Sequence, residues 1–317
     1  NDLHGDLDCD FIISTAGNYH FALLEALQGR PDLSFEGLQT ILQRDYGLKV
    51  CWSTSPPVAV DQVANEQLQV KNIIMHGKPA LAMGPGGLMT TLTTRGFISD
   101  STPFLRNKGN ALLIRAEKAH KIFDICDLGR VDIRVVTPNN DLEPGSFGNF
   151  SGTIFNVANQ NNYGCDATTL FDSIFSQDIS TIDMSAFANP TNIAAVQQVF
   201  TTANQIKWVA SSRIMHRDIP YALCFDEADA GVIFYHQATY LKETLATTMN
   251  CQLDVIPLPG TEANPMGNRF GTLHIAKILG HTGKVKTAQR VMYDFFVGSP
   301  IWTQILMDND LVDPSPN

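Results

Sequence analysis

The sequence predicts an α/β fold in which a largely parallel sheet is covered by helices. Two observations carry this: short apolar runs alternate with stretches of helical apolar spacing, and the apolar runs stop at clusters of Ser, Thr, Gly and Pro. Phe11-Ile12-Ile13 is the first strand and stops at Ser14-Thr15-Ala16-Gly17-Asn18. Helical spacing follows from Tyr19 to Leu27, through Phe21, Leu23, Leu24 and Leu27, and again from Phe35 to Tyr46. The second strand, Leu48 to Trp52, ends at Ser53-Thr54-Ser55-Pro56-Pro57. The third, Pro79 to Met83, leads through Gly84-Pro85-Gly86-Gly87 into a helix from Leu88 to about Thr94.

The pattern restarts at Ala111. Strands are expected at Ala111–Arg115 and Ile133–Thr137, the latter closed by Pro138 and the turn-rich stretch Asn139 to Gly145, before a helix from Ser146. Tyr163 to Val199 is less regular and is expected to be an insertion of helical pieces and loops. Further strands are expected at Trp208–Ala210, Ala230–Tyr235, Asp254–Leu258 and Leu273–Ala276. Two final helices span about Thr287 to Val297 and Pro300 to Asp308. No repeat of fixed period and no low-complexity tract interrupts this order.

The 317 residues allow one large domain or two of ordinary size. Apolar residues make up 44% and charged residues 17%, against about 25% charged in a typical soluble domain, so core is ample and disorder is excluded. The 22 basic and 32 acidic residues give a net charge of −10, which argues against a nucleic-acid partner. No apolar run approaches the roughly 20 residues that span a bilayer. Asn1-Asp2-Leu3-His4-Gly5-Asp6 is polar and lacks both Met and an apolar run. It fits a processed mature N-terminus or an exported chain whose signal is omitted. The cysteines at 9, 51, 126, 165, 224 and 251 form no CxxC pair, and separate buried thiols are expected. Their even number also permits disulfides, whose pairing the sequence does not assign.

Catalytic templates fail one by one. Gly84-Pro85-Gly86-Gly87 lacks the third glycine of a dinucleotide fingerprint, and Gly283-Lys284 is preceded at 278 by Ile and followed by Val285, unlike a P-loop. Neither HExxH nor GxSxG occurs; Gly148-Asn149-Phe150-Ser151-Gly152 is misspaced for a nucleophile elbow. The histidines are scattered, and His216-Arg217-Asp218 has no partner that sequence identifies. No catalytic residue, metal site or cofactor is expected, and the chain is expected not to be an enzyme.

What remains is a set of strand ends rich in small hydroxyls: Ser14-Thr15, Ser53-Thr54-Ser55 and Gly145-Ser146. In open α/β sheets ligands sit beyond the carboxyl ends of strands. There, first-turn N–H groups lack intrahelical partners, and serine hydroxyls beside them make a neutral donor cage suited to an anion. The alternative is that each hydroxyl caps its own helix, the commonest use of these residues.

Several phrases resemble a known family. Glu227-Ala228-Asp229-Ala230-Gly231-Val232-Ile233-Phe234-Tyr235 is similar to a strand of the type 2 periplasmic solute-binding proteins, in the molybdate- and tungstate-binding branch of ABC importer components. Trp52-Ser53-Thr54-Ser55 stands where that branch has serines after its second strand. Pro79 to Met89, continuing to Gly96, resembles its strand-to-helix segment, and Tyr293 to Pro300 resembles its closing Ser-Pro helix start.

The resemblance implies a two-lobed type 2 periplasmic binding protein fold with a ligand cleft between lobes that close about a hinge. Lobe one would hold residues 1–108 and 252–317; lobe two, 109–251, with an insertion near 160–205. Ser14 and Thr15, then Ser53, Thr54 and Ser55, would face the ligand from lobe one, and Ser146 and Tyr235 from lobe two. The chain would be a monomer in the periplasm or outside the cell, capturing a small anion such as molybdate or tungstate for a membrane permease. A ligand-sensing module, or an enzyme on the same fold, is the alternative. Arg213, His216 and Arg217 depart from a neutral site: Arg217 either reaches the cleft, favouring a carboxylate or another oxyanion, or pairs on the surface with Asp218. His236-Gln237 either adds donors or merely begins a helix.

Overall fold

The computed structural model describes residues 2–5, 8–54, 60–70, 73–139, 143–160, 164–175, 207–210, 215–258 and 271–314. The chain divides into two compact units. Unit 1 is Asn1–Asn107 with Gly271–Asn317, and unit 2 is Lys108–Phe270.

In unit 1, strands β1 (Asp2–His4), β2 (Phe11–Thr15), β3 (Val50–Thr54), β6 (Leu81–Pro85), β7 (Thr102–Asn107), β13 (Thr272–Lys277) and β14 (Leu311–Val312) form one sheet in the order β1-β3-β2-β6-β13-β7-β14. Strands β4 (Gln67–Val70) and β5 (Ile73–His76) make a separate hairpin. The three strands that matter most run parallel: β2 pairs with β3 on one side and β6 on the other. The sheet is buried on both faces, which is why its central strands are apolar at successive positions.

One face carries Phe11, Ile13, Val50, Trp52, Leu81 and Met83. It packs against α1 (His20–Gln28), α2 (Leu38–Tyr46), α9 (Gly283–Gly298) and α10 (Pro300–Asp308). The other face, with Ile12, Cys51 and Ala82, lies under α3 (Val60–Ala64), α4 (Gly86–Thr94) and the hairpin. Helix α2 stops where Gly47 takes a left-handed conformation at φ 66°. Helix α10 starts at the expected Ser-Pro step: the Ser299 hydroxyl accepts from the Ile301 N–H at 3.2 Å, and Pro300 sits at the first helical position.

Unit 2 has the sheet β10-β9-β11-β8-β12, from β8 (Asn110–Arg115), β9 (Val135–Thr137), β10 (Trp208–Ala210), β11 (Ala230–Phe234) and β12 (Leu253–Pro257). Strands β9, β10 and β11 are parallel, whereas β8 runs antiparallel to both β11 and β12. Among the described residues its helices are α5 (Pro144–Gln160), α6 (Ala167–Phe175), α7 (Met215–Cys224) and α8 (Tyr235–Thr248). Gly231 has a packing role: a Cβ there would meet Ile219 Cγ2 at 2.8 Å and Val136 Cγ1 at 2.9 Å, so only glycine lets α7 approach the sheet this closely.

Asp229, one residue before β11, is 1% exposed. It accepts from the Arg134 N–H at 2.8 Å and Arg134 Nε at 3.1 Å, with Lys118 Nζ at 3.3 Å. Arg134 also bridges to Asp226 at 2.5 Å, and Asp226 pairs with Arg115. The Asp-Ala-Gly phrase of the sequence is thus explained by folding: the acid closes an ion network and the glycine admits a helix.

Three expectations need correction. The return to unit 1 falls at 270/271 and not at 252, because Leu253–Pro257 completes the unit 2 ladder against β8; the outward crossing falls at 107/108. Separate thiols are also overturned: all six cysteines are paired, Cys9–Cys51, Cys126–Cys165 and Cys224–Cys251, with Cα separations of 5.7, 5.8 and 5.5 Å. Spacings of 42, 39 and 27 residues hid this, since each bond joins elements that only the fold brings together. Finally, Tyr235 opens α8 and does not end β11. Within the expected insertion, Ala167–Phe175 is helical and packs on α5; residues 176–206 lie outside the described residues.

Replacing Cys224 and Cys251 together by serine should lower stability by about 3 kcal/mol, because the bond closes a loop in the unfolded chain; urea denaturation measures it. Asp229→Asn should cost about 3 kcal/mol at neutral pH by leaving Arg134 without its buried partner. Burial alone would raise the Asp229 pKa, but the Arg134 hydrogen bonds hold it below the ordinary carboxylate value. The carboxylate therefore stabilises unit 2 above about pH 4, and that stability is lost as pH falls through the depressed pKa. Urea midpoints of wild type and variant should converge in acid; a gap independent of pH would contradict the ionic account.

Candidate functional site

The parallel pairing of β2 with β3 sets Ser14 opposite Ser53 and Thr15 opposite Thr54. Register partners share a face and successive residues alternate, so Ser14 and Ser53 are neighbours on the face that holds Ile12, Cys51 and Ala82. Both are buried, at 1% and 6% exposure, and neither hydroxyl has a hydrogen-bond partner among the described residues. Two small hydroxyls side by side at a strand end, neither spent on a partner among the described residues, are available to donate to a ligand there.

Thr15 is differently used. It faces the opposite core, where its hydroxyl shares a short hydrogen bond with the Tyr19 hydroxyl and lies 3.3 Å from the Ala16 carbonyl oxygen. Burial pushes the Tyr19 phenol well above its usual range, so it stays protonated as one half of that pair. Neither the short 3₁₀ turn at Gly17–Tyr19 nor α1 has a side-chain cap. Helix capping therefore does not account for Ser14 or Thr15. Thr54 closes β3, but its side chain is outside the described residues, as is the whole of Ser55.

The third parallel strand, β6, ends at the same edge and passes directly into α4. Its N-cap is Pro85, which has no side chain able to accept, and the Thr90 and Thr91 hydroxyls turn back to the Gly86 and Gly87 carbonyls at 3.1 Å. The first-turn N–H groups of α4 thus have no side-chain cap.

In unit 2, Ser146 is the third residue of α5, half-buried, and inside the helix where a cap would precede it. Tyr235 opens α8 and donates its backbone N–H to the Gly109 carbonyl at 2.9 Å. Arg217 is the third residue of α7, with its side chain outside the described residues; the same holds for His216, and all of Arg213 is outside. His236 and Gln237 are buried in the first turn of α8.

Sequence reasoning missed a polar group between the sheet and α5. Asn110 opens β8 opposite Phe234, and its Nδ2 donates to the Thr153 hydroxyl at 2.8 Å; Thr153 in turn donates to the Asn149 carbonyl at 2.8 Å. Asn110 Oδ1, Thr137 Oγ1 and Ser151 Oγ are buried with no partner. An asparagine at the head of a continuous apolar strand was the available signal. Among the described residues no group of His, Cys, Asp and Glu could hold a metal ion.

No family model matches the chain, and no curated protein matches it. Solved structures do. The periplasmic molybdate-binding protein of Azotobacter vinelandii is 12% identical, with 96% of this chain and 100% of that one covered and a TM-score of 0.51. The sulfate-binding protein SubI of Mycobacterium tuberculosis is 14% identical over 96% of this chain and 87% of its own, TM-score 0.51. The PBP AgtB of A. tumefaciens, in complex with agropinic acid, is 10% identical over 95% and 81%, TM-score 0.51. The chain has the two-lobed α/β fold of the type 2 periplasmic binding proteins. At these identities the likeness extends to the fold alone.

Proposed function

We propose that this chain is an extracytoplasmic solute-binding protein that captures a small anion and delivers it to an ABC-type importer. The observation that carries this reading is the Ser14–Ser53 pair: two buried serines in register whose hydroxyls have no partner among the described residues, at the sheet edge where β6 passes into the uncapped first turn of α4. Such donors suit a tetrahedral oxyanion such as molybdate or tungstate, because they offer hydrogen bonds to its oxygens without a counter-charge. Fold neighbours named for molybdate and sulfate support the ligand class, and the agropinic-acid complex keeps carboxylates in view. Thr54, Ser55, Ser146 and Tyr235 stay as proposed contacts, Arg217 is one only in the alternative of a carboxylate or another oxyanion, and Thr15 belongs to the fold.

Chemistry as well as fold supports an extracytoplasmic compartment. Three disulfides form and persist in an oxidising environment, and no described helix is long and apolar enough to cross a membrane. A periplasmic or extracellular location fits both facts.

Thermal-shift screening against molybdate, tungstate, sulfate, inorganic phosphate and small carboxylates should raise the melting temperature for at least one oxyanion, since a ligand bound to the native state stabilises it by mass action. Ser14→Ala and Ser53→Ala should each weaken that anion roughly tenfold or more in calorimetry, the loss of a hydrogen bond to a charged group. Thr15→Val should lower stability and leave affinity unchanged. Wild-type affinity in both serine variants would remove the proposed cage.

A further inference from the structure

Nine large apolar side chains are exposed among the described residues, and five of them gather at one end of unit 2. Phe123, Val131, Tyr221, Phe225 and Met249 are between 37% and 91% exposed. All five stand at the end where the parallel strands β9 and β11 begin. Phe123 and Val131 flank the 3₁₀ helix Ile125–Gly129 ahead of β9, and Lys121 reaches Asp132 at 2.7 Å across its two sides. Tyr221 and Phe225 stack at the close of α7, with ring centroids 6.1 Å apart. Met249 follows α8, and the Cys224–Cys251 bond draws that turn to the Phe225 turn with a Cα separation of 5.5 Å. The two groups meet at Arg134. Its Nη1 donates to the Asp226 carbonyl at 2.7 Å, next to Phe225, and three residues of chain, about 10 Å at most, separate it from Val131.

We infer that this end of unit 2 is a homodimer interface, on which a second copy of the chain sits about a two-fold axis. The inference stands apart from the solute-binding reading and replaces the monomer that the family resemblance implies. The exposed area is of the right order. At about 150–200 Å² for each large side chain, the five leave roughly 500 Å² in water, or about 1,000 Å² for two copies. Polar neighbours buried with them need add only about 200 Å² to reach the roughly 1,200 Å² at which stable interfaces begin. The patch is also held in shape before a partner arrives. Cys126–Cys165 anchors the 3₁₀ helix between Phe123 and Val131, and Cys224–Cys251 anchors the Phe225 turn. A surface fixed in this way loses little conformational entropy on association.

Charge selects a second copy over other partners. The ion network of Arg134, Arg115 and Lys118 with Asp226 and Asp229 runs through the patch, and it extends to Glu117 at 2.6 Å from Arg115. Lys121 and Arg130 continue it by sharing Asp132 at 2.7 and 3.3 Å. Five cations thus interleave with four carboxylates. Lys207, bound to the Gly129 carbonyl, and the neighbouring Asp124, Asp127 and Glu227 bring the balance to six minus seven, or −1, on a chain of net charge −10. An array of mixed sign suits neither an anionic lipid layer nor a protein of one charge, since part of it repels each. About a two-fold axis it suits itself, because cations of one copy can face carboxylates of the other. Copies of an acidic chain also meet with least repulsion where the two signs are closest to balance.

The test is analytical ultracentrifugation of the whole chain over a dilution series from about 100 µM to about 0.1 µM. The wild type should pass from dimer to monomer within it. Phe225→Asp and Val131→Asp each set a carboxylate in the apolar patch and should weaken the dimer by about tenfold or more. Both side chains are exposed in the single chain, so the monomeric variants should keep the fold, read as an unchanged circular dichroism spectrum and a cooperative melt. Leu279→Asp, an exposed apolar position of unit 1, should leave the dimer intact. Flotation with vesicles of phosphatidylglycerol and phosphatidylcholine tests the other occupant, and the wild type should stay with the soluble fraction. A wild type still monomeric at about 100 µM would overturn the inference, as would a dimer that both aspartate variants leave undisturbed. Vesicle binding by the wild type that Phe225→Asp abolishes would overturn it in favour of a lipid surface.

Discussion

Strands β2, β3 and β6 are parallel neighbours, and a parallel neighbour can be reached only by a crossover. Each of these strands therefore enters at one edge of the unit 1 sheet and leaves at the other. Their carboxyl ends collect in a row, and whatever residues stand there are brought together without any contact between them in sequence. Ser14 and Ser53 are 39 positions apart along the chain and adjacent in the ladder. The same register decides which hydroxyls are spent. One residue further along, Thr15 turns into the opposite core and closes on Tyr19, so a shift of a single position separates a donor left open from one consumed by packing.

Unit 2 uses its two sheet edges for different chemistry. Its charges gather where the parallel strands begin: Arg134 just before β9, Asp229 just before β11, and Arg115 at the end of antiparallel β8. Where those strands end, Asn110 donates to Thr153, and Asn110 Oδ1 and Thr137 Oγ1 are buried with no hydrogen-bond partner. A site assembled from hydroxyls, amides and helix starts can then set its ligand preference by geometry and by the count of donors and acceptors.

The sequence carried the fold class and the strand ends legibly, because both depend on local pattern: apolar runs, helical spacing, and small polar residues where a run stops. It failed wherever the fact was a pairing. The cysteines looked independent because nothing near Cys9 announces Cys51. The strand at Leu253–Pro257 was assigned to the wrong unit because its own residues do not say that β8 is its neighbour. Tyr235 was extended onto the end of β11 because an aromatic after Val-Ile-Phe continues a strand pattern, whereas the turn into α8 is fixed by the Gly109 carbonyl that receives its N–H.

The net charge of −10 bears on the proposed anion site. Spread over an exterior in physiological salt, acidic side chains are screened beyond about 8 Å, so they act weakly on a buried site. Within that distance the relevant quantities are the hydroxyls of Ser14 and Ser53, which have no partner among the described residues, and the open first turn of α4. None of these adds a full positive charge. An acidic surface and an anion site are therefore compatible here because the proposed attraction is supplied by short, desolvated hydrogen bonds, which the overall charge of the chain does not reach.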